Sequence, residues 1–340
     1  MRLIPDLGIR GINMDDRLLV IENLKIEYHS DSNVFHAVNG ISFELGYKET
    51  IGLVGETGAG KTTTALAIMQ LLPERTGFIT DGRILFKGEN IIGKDRAEMQ
   101  KIRGASISMI FQDPLTCLNP LMTVGEQIKE ALEIHKESIG SVEHIDQQVN
   151  QLFEMVGIPP ARGREFPNQF SGGMKQRVMI AIALACNPEL LIADEPTSAL
   201  DVTIQAQVLN LMADLKKKIN TSMIMISHDL GVVVKTCDRV AIMYAGEIVE
   251  IGAVEDIYAD VKHHPYTEGL FGAIPDIHTK VSRLNAIDGL MPDPANLPTG
   301  CKFSPRCGHC MGICKTTPPG VWKSGSHSIA CHLLVKEGDE

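Results

Sequence analysis

A glycine-rich segment near residue 55 constrains this chain more than any other feature. Residues 50–54 form a nearly continuous apolar run, and residues 55–62 read Gly-Glu-Thr-Gly-Ala-Gly-Lys-Thr before a helical pattern begins. This is the phosphate-loop pattern, in which backbone N–H groups cradle phosphate oxygens at a helix N-terminus. Lys61 is expected to contact the β- and γ-phosphates, and the Thr62 hydroxyl to complete the shell of a Mg²⁺ ion. The segment therefore predicts an α/β fold that binds a nucleoside triphosphate.

Four later apolar runs support that fold class. Each is short and nearly continuous, as expected for strands buried on both faces of a mostly parallel sheet. The runs are Ile107–Phe111, Leu190–Ala193, Met223–Ser227 and Val240–Tyr244. Between Asp113 and Ala185 the pattern is instead helical, with amphipathic candidates at Thr123–Ser138 and Ile145–Val156. This predicts a helical subdomain inserted in the order of the strands.

Composition limits where the chain works and what it binds. The 340 residues are 44% hydrophobic and carry a formal net charge of −10, with no long run of Lys or Arg. Nucleic acid is therefore not expected as a partner. The apolar stretches fall far short of the roughly 18 residues that a membrane-spanning helix needs, and the N-terminus does not read as a secretion signal. We expect a cytosolic protein whose contact with any membrane depends on other subunits.

An acidic pair closes one of the predicted strands. Asp194 and Glu195 directly follow the run Leu190–Ala193. At the carboxyl end of a parallel strand, Asp194 is expected to hold Mg²⁺ through water, and Glu195 to polarise the water that attacks the γ-phosphate. In isolation such a pair is often only a solvated turn, but the upstream phosphate loop favours the catalytic interpretation.

A short motif precedes that acidic strand. Residues 170–177 read Phe-Ser-Gly-Gly-Met-Lys-Gln-Arg and resemble the signature motif of the ATP-binding-cassette family. Small residues at a helix N-terminus let backbone amides and the Ser171 hydroxyl approach a phosphate. Read without the family, they are a helix cap with a flexible turn. The resemblance implies a P-loop cassette domain over 18–255, with an antiparallel β-subdomain and a helical subdomain at about 113–185, and two cassettes that sandwich two ATP molecules.

Four single residues match the same family in position. Gln112 resembles the loop glutamine that touches Mg²⁺ and the membrane subunit, and His228 resembles the switch histidine that contacts the γ-phosphate. Asp201, at the end of a Ser-Ala-Leu-Asp stretch, resembles the loop that contacts the opposite cassette. Tyr28 lies where the family often stacks a ring on adenine, although it could equally pack in the small antiparallel sheet.

The resemblance thus implies three sets of site residues. The catalytic candidates are Glu195, His228 and Gln112. The candidate Mg²⁺ ligands are Thr62, Gln112 and Asp194. The candidates for contact with ATP are Tyr28, Gly55, Glu56, Thr57, Gly58, Ala59, Gly60, Lys61, Thr62, Thr63, Gln112, Ser171, Gly172, Gly173, Gln176, Asp194, Asp201 and His228.

Three further stretches narrow the resemblance to importers of peptides, oligopeptides and nickel. Residues 111–120 resemble the segment after the loop glutamine in those importers, and His264–Thr267 and Ala273–Pro275 resemble their extension beyond the cassette, here 256–340. The resemblance implies an ATPase that drives uptake through two transmembrane permeases at the cytoplasmic face of the membrane. It also implies a related second ATPase, as a heterodimer or a homodimer, and an external solute-binding protein. A soluble cassette ATPase of iron–sulfur assembly, or another non-transport role, is the alternative.

Five of the eight cysteines lie between residues 301 and 331. A reducing cytosol disfavours a disulfide framework, so the clustering indicates a metal site at 297–335. Cys301, Cys307, Cys314 and Cys331 resemble the four cysteines that hold a [4Fe–4S] cluster in members of the importer family. Cys310 departs from that pattern and creates a Cys-Gly-His-Cys spacing typical of zinc, so zinc and unligated cysteines stay open. No proposed ligand belongs to the ATP site, so replacing one of these cysteines is expected to leave nucleotide binding in place.

Overall fold

The structure, a computed structural model, describes residues 16–136, 144–198, 200–259, 262–273 and 287–335. These residues form two units. The first contains the chain up to Glu44, Ile51–Asn90 and the chain from His228 onward, and the second contains Leu45–Thr50 and Ile91–Ser227. Four residues used in the sequence predictions lie outside the described residues: Ser138, Ala199, Ile274 and Pro275.

Twelve strands and eleven α-helices lie within the described residues. The strands are β1 (Arg17–His29), β2 (Val34–Gly46), β3 (Thr50–Val54), β4 (Gly77–Phe86), β5 (Glu89–Asn90), β6 (Ile107–Ile110), β7 (Leu190–Asp194), β8 (Ser222–Ser227), β9 (Arg239–Tyr244), β10 (Glu247–Ala253), β11 (Val321–Ser324) and β12 (His327–Ala330). The helices are α1 (Lys61–Ile68), α2 (Arg96–Ile102), α3 (Pro114–Cys117), α4 (Val124–Ile134), α5 (Ile145–Met155), α6 (Gly172–Leu184), α7 (Val202–Ile219), α8 (Leu230–Thr236), α9 (Val254–Tyr258), α10 (Pro265–Gly272) and α11 (Gly312–Thr316).

Two sets of strands build the first unit. An antiparallel sheet has the order β2-β1-β4-β5. In the other set β3 pairs in parallel with β9, and β10, β12 and β11 continue the set by antiparallel pairing. Residues 321–330 therefore add a hairpin at the edge of the strands that carry the phosphate loop.

Parallel strands and helices build the second unit. Its strands have the order β8-β7-β6, and every residue of β7 and β8 is buried, as the continuous apolar runs predicted. Helix α4 begins after Thr123, which forms a capping box with Glu126, and it ends at Ile134, earlier than predicted. None of the helices in the described ranges is long and apolar enough to cross a membrane.

The strands of the core are mixed rather than mostly parallel. The departure begins at the turn between β9 and β10, where Tyr244 pairs with Glu247 across only two residues. Ala245 and Gly246 have φ of 45° and 80°, the left-handed pair that a tight hairpin turn requires. The chain therefore reverses here without a helical crossover. The predicted α/β class is confirmed, with a mixed core and a separate antiparallel sheet.

Candidate functional site

The predicted phosphate loop connects β3 to α1 in the first unit. Gly60, directly before α1, has φ of 100°, and a Cβ there would lie 2.6 Å from the carbonyl oxygen of Ala37. Only glycine fits this position without strain. Helix α1 begins at Lys61 with no side-chain cap and no acidic residue in its first turn. Its N-terminus therefore keeps the partial positive charge that attracts an anion.

Lys61 folds back over its own loop. The side chain is 5% exposed, and Nζ donates to the carbonyl oxygens of Gly55 at 2.7 Å and Glu56 at 3.0 Å. These bonds hold the ammonium group within the curve of the loop. A positive charge at this point, beside a helix N-terminus, is the chemistry that binds phosphate.

Three other candidate residues of the first unit, Tyr28, Thr62 and His228, lie in, beside or just before the first turn of a helix. The Tyr28 hydroxyl, half-buried at the end of β1, lies 3.5 Å from Thr63 Oγ1 in the first turn of α1. Thr62 is exposed in the same turn. His228 is exposed before α8, where Asp229 caps the helix by accepting from the N–H of Gly231 at 2.8 Å. Tyr28 thus packs with the sheet, and its hydroxyl reaches the helix of the phosphate loop.

In the second unit, Glu195 has a strained backbone. Its φ is 45°, a left-handed conformation that costs a non-glycine residue on the order of 1–3 kcal/mol. The Glu195 N–H donates to Ile226 O at 3.0 Å, and its carbonyl accepts from the N–H and hydroxyl of Ser198 at 3.2 Å. Asp194, the last residue of β7, is 2% exposed, whereas Glu195 is half-buried. Strain held by such bonds is characteristic of functional sites.

Gln112 and Glu195 meet although 83 residues separate them. Gln112 Nε2 donates to Glu195 Oε2 at 3.1 Å. Both follow neighbouring parallel strands, β6 and β7, and parallel strands end at the same edge of a sheet. The structure thus brings together two predicted catalytic residues. Asp201 has a separate place, exposed at the beginning of α7, where it accepts from the N–H of Ile204 at 3.0 Å.

The signature-like motif begins the 13-residue helix α6. Ser171 is its N-cap residue, exposed and without a side-chain cap bond, and Gly172 is also exposed. A Cβ on Gly173 would clash with the side chain of Ile204, so glycine is needed there. Gln176 is different: it is 1% exposed, and its Nε2 has no hydrogen-bond partner among the described residues. Contact of Gln176 with ATP stays a prediction.

The four cysteines predicted as ligands lie close to one another in the first unit. Cys314 and Cys331 are buried, and Cys301 and Cys307 are half-buried. Burial raises the pKa of the Cys301 thiol to about 12, and the nearby charges of Glu247, Cys331 and Cys314 add to the rise. Burial also raises the pKa of Cys331, and Cys307 and Cys314 contribute. Cys301, Cys307 and Cys331 therefore each have other cysteines of the extension nearby.

A buried carboxylate that the sequence did not single out joins β10 to the C-terminal extension. Glu250 has no exposed surface, and its Oε1 lies 2.7 Å from a ring nitrogen of His263 and 2.7 Å from one of His327. Its Oε2 accepts from the N–H of His264 at 2.8 Å and from the hydroxyl of Thr267 at 2.5 Å. One carboxylate therefore ties together β10, β12 and the beginning of α10.

This cluster is a charged hydrogen-bond network. The second ring nitrogen of His263 lies 3.0 Å from Ala259 O, so both of its nitrogens face oxygen acceptors and both need a proton. Burial opposes the charge, but the bonds to Glu250 and Ala259 outweigh it and raise the pKa of His263. Among the described residues, Glu250, His263 and His327 form the only group of three His, Cys, Asp or Glu ligand atoms that lie within 4.8 Å of one another. Separations of 2.7 Å fit protons between these atoms.

Two residues of the extension contact the phosphate loop. The Glu56 N–H donates to the Tyr266 hydroxyl at 2.9 Å, and Arg306 donates to the Glu56 carboxylate at 2.8 Å. These pairs span 210 and 250 residues, and sequence reasoning missed both. Nothing in the sequence around Arg306 indicates that it contacts Glu56, because a contact between residues 250 positions apart depends on the fold.

Two parts of the chain, the cassette region and the C-terminal extension, each match a known protein family. Residues 38–198 match the family described as ABC transporter, and residues 249–314 match the family described as oligopeptide/dipeptide transporter, C-terminal region. The chain is 48% identical over 327 residues to the oligopeptide transport ATP-binding protein AppD of Bacillus subtilis, which covers 95% of this chain and 98% of that one. It is 47% identical over 321 residues to the dipeptide transport ATP-binding protein DppD of the same organism, covering 94% and 95%.

Solved structures show the same relationship. The dimeric ATP-binding cassette MJ0796, in a post-hydrolysis state bound to ADP and Pi, superposes with a TM-score of 0.62 at 26% identity over 69% of this chain and 98% of that one. The cassette cbiO1 from Clostridium perfringens gives 0.60 at 27% identity over 72% and 92%. Fold and site together define an ABC transporter ATPase. Within that class, the chain belongs to the family of ATP-binding proteins of oligopeptide and dipeptide transporters.

Proposed function

We propose that this chain hydrolyses ATP to drive the uptake of dipeptides or oligopeptides through two separate permeases at the cytoplasmic face of the membrane. A related second ATPase and an external solute-binding protein complete the system. One observation carries the proposal: the peptide-transporter extension contacts the phosphate loop itself, through Tyr266 and Arg306 at Glu56. The extension is thereby part of the ATPase.

Phosphate binding is assigned to the loop of the first unit. The Lys61 ammonium and the backbone N–H groups at the beginning of α1 bind and orient the β- and γ-phosphates. Thr62, Gln112 and Asp194 offer a hydroxyl, an amide and a carboxylate oxygen, the hard ligands that Mg²⁺ prefers, and Asp194 is almost fully buried. When bound, Mg²⁺ neutralises charge that develops on the phosphates.

Glu195 is assigned as the group that polarises the attacking water. Its left-handed backbone and the bond from Gln112 give the carboxylate a defined direction. A carboxylate with one oxygen held by an amide keeps lone pairs for a water proton. His228 is assigned to contact the γ-phosphate, and Tyr28 the adenine.

The signature helix is assigned to a nucleotide held by a second cassette. Ser171 and Gly172 are exposed at the N-terminus of α6 and carry no cap bond, so they can approach a phosphate of another chain. Each complete site would then need two ATPase subunits, identical or related.

ATP turnover in reconstituted assemblies tests this function. The chain alone is expected to hydrolyse ATP slowly, and the rate should rise with the second ATPase, the permeases and peptide-loaded binding protein. Free amino acids in place of peptide serve as the matched control for the solute. Turnover by the lone chain that equals the full assembly, at every protein concentration, would contradict the two-chain site and favour a non-transport cassette ATPase.

We propose further that Cys301, Cys307, Cys314 and Cys331 hold a [4Fe–4S] cluster. A cluster takes four thiolate ligands, the number that these cysteines supply. The N–H of Cys301 donates to the carbonyl oxygen of Cys314 at 2.8 Å, which joins two of the segments that carry them.

Metal analysis tests the cluster. Protein purified without oxygen is expected to be brown and to contain about four iron and four sulfide per chain. Cys310→Ser should leave both contents unchanged, which makes it the matched control. Cys314→Ser should lower them sharply and make the segment after Leu297 easier to digest with protease. Colourless protein with one zinc per chain, lost in Cys310→Ser, would favour the zinc alternative.

A further inference from the structure

Arg306 holds Glu56, the second residue of the phosphate loop, in a two-pronged ion pair. Arg306 Nη1 donates to Glu56 Oε2 at 2.8 Å, and Nη2 donates to Oε1 at 3.2 Å. The arginine side chain is 6% exposed and the glutamate side chain 31%. Two parallel N–H···O bonds fix the direction of the carboxylate as well as balance its charge.

The other N–H groups of Arg306 are also engaged. Nε donates to Asp288 O at 2.9 Å, Nη2 to Ile287 O at 3.2 Å and Nη1 to the Tyr244 hydroxyl at 3.4 Å. A guanidinium carries five N–H groups, and these bonds together with the pair to Glu56 use all five. Arg306 is therefore a fixed counter-charge for Glu56, not a side chain oriented to reach a phosphate.

Glu56 is central to the loop. Its carbonyl accepts from Lys61 Nζ at 3.0 Å, and its N–H donates to the Tyr266 hydroxyl at 2.9 Å. The carboxylate thus belongs to the same residue whose peptide group supports the phosphate-binding lysine. A carboxylate without a counter-charge at this position would repel a triphosphate.

We propose that Arg306 is a positioning residue for ATP: it neutralises and orients Glu56, so that the phosphate loop accepts a triphosphate. The proposal rests on the proposed function in one respect, that this loop binds ATP. Arg306 directly precedes Cys307, and its N–H donates to Phe303 O at 3.0 Å in the turn after Cys301. The cysteine-rich segment is therefore linked to the phosphate loop through Arg306.

Mg·ATP affinity in a set of full-length variants tests this role. Arg306→Ala leaves the Glu56 carboxylate unpaired and is expected to raise the Kd for Mg·ATP about tenfold or more. Glu56→Gln removes a negative charge from the phosphate loop and should tighten Mg·ATP binding. The double variant should recover most of the lost affinity. High salt should shrink these differences, because it screens exposed charge.

Two further variants separate positioning from stability. Lys302→Ala is the matched control in the same segment: Lys302 Nζ donates to Pro298 O at 2.5 Å and lies 3.9 Å from Glu247, so it should leave the Kd unchanged. Arg306→Lys keeps the positive charge but cannot form the two parallel N–H···O bonds, and it should lose less affinity than Arg306→Ala. This variant also tests the proposal if Arg306→Ala does not fold. In the assembled transporter, Arg306→Lys should raise KM for ATP more than it lowers kcat.

The outcomes are distinct. Weakening of ATP binding by both single changes, without recovery in the double variant, would show a merely structural pair and overturn the proposal. Unchanged affinity in both Arg306 variants, with normal binding by wild type, would overturn it as well. A wild-type chain that does not bind Mg·ATP would instead contradict the proposed function, and this inference with it.

Discussion

Glu195→Gln is expected to lower ATP turnover of the assembled transporter by about 10²–10⁴-fold, because the amide cannot take a proton from the attacking water. The fold should survive the change. A glutamine meets the same backbone cost at φ of 45°, and its side-chain oxygen can still accept from Gln112 Nε2, now 3.1 Å from Glu195 Oε2. Mg·ATP affinity should therefore stay close to that of wild type.

Steady-state ATP hydrolysis and nucleotide binding, measured on the same preparations, check this result. Glu154→Gln is the matched control, since Glu154 is an exposed glutamate of α5 in the same unit. It should change neither quantity. Hydrolysis by Glu195→Gln within a few-fold of wild type would remove Glu195 from the catalytic role and direct attention to His228.

Glu250→Gln should destabilise the first unit by about 3–5 kcal/mol, the cost of breaking a buried ion pair. The glutamine keeps the shape but loses the charge that His263 faces. Its NH₂ group would oppose either the N–H of His264 and the hydroxyl of Thr267 or the ring N–H of His263. Glu247→Gln, on the same strand beside Lys302 at 3.9 Å, should cost less than about 1 kcal/mol.

The loss of folding stability caused by Glu250→Gln should depend on pH. Burial opposes ionisation of Glu250, but bonds from His327, Thr267, His263 and His264 hold its pKa below the ordinary 4.5, so its contribution is present above that value and is lost as pH falls. The pKa of His263 is raised above 6.5, so its contribution is present below 6.5 and is lost as pH rises through the raised value. The stability difference between wild type and Glu250→Gln should be largest between pH 4.5 and 6.5.

Chemical denaturation of both proteins across pH 4 to about 9 measures this difference. A difference that stays flat over the whole range would contradict a charged pair between Glu250 and His263. A cost below that of Glu247→Gln would show that the network contributes nothing to stability.

The strands and the phosphate loop could be predicted from local pattern. Strands such as β7 and β8 are buried on both faces, and this burial appears in the sequence as an uninterrupted apolar run. The loop at Gly60 needs glycine for its φ and for the close approach of Ala37 O, so its residue types are fixed. Features of this kind depend on neighbours in sequence or on a strict steric requirement.

The remaining features depend on contacts between distant residues. Arg306 meets Glu56 across 250 residues, and His327 meets Glu250 across 77. Charged and polar side chains of these types are usually solvated, so nothing local distinguishes a paired one. The hairpin after Tyr244 was missed for another reason. Its turn is Ala-Gly, and alanine rarely adopts the left-handed conformation found at Ala245.

The C-terminal hairpin of β11 and β12 also covers an edge of the strands that carry the phosphate loop. Without β11 and β12, strand β10 would be an outermost strand whose residues 248–252 are buried in the present fold. An apolar strand with unpaired N–H and C=O groups is a template for pairing with another chain. The hairpin covers β10 and offers instead β11, whose last residues, Lys323 and Ser324, are exposed. A charged, short edge of this kind resists strand addition, so the hairpin protects the sheet from pairing with another chain.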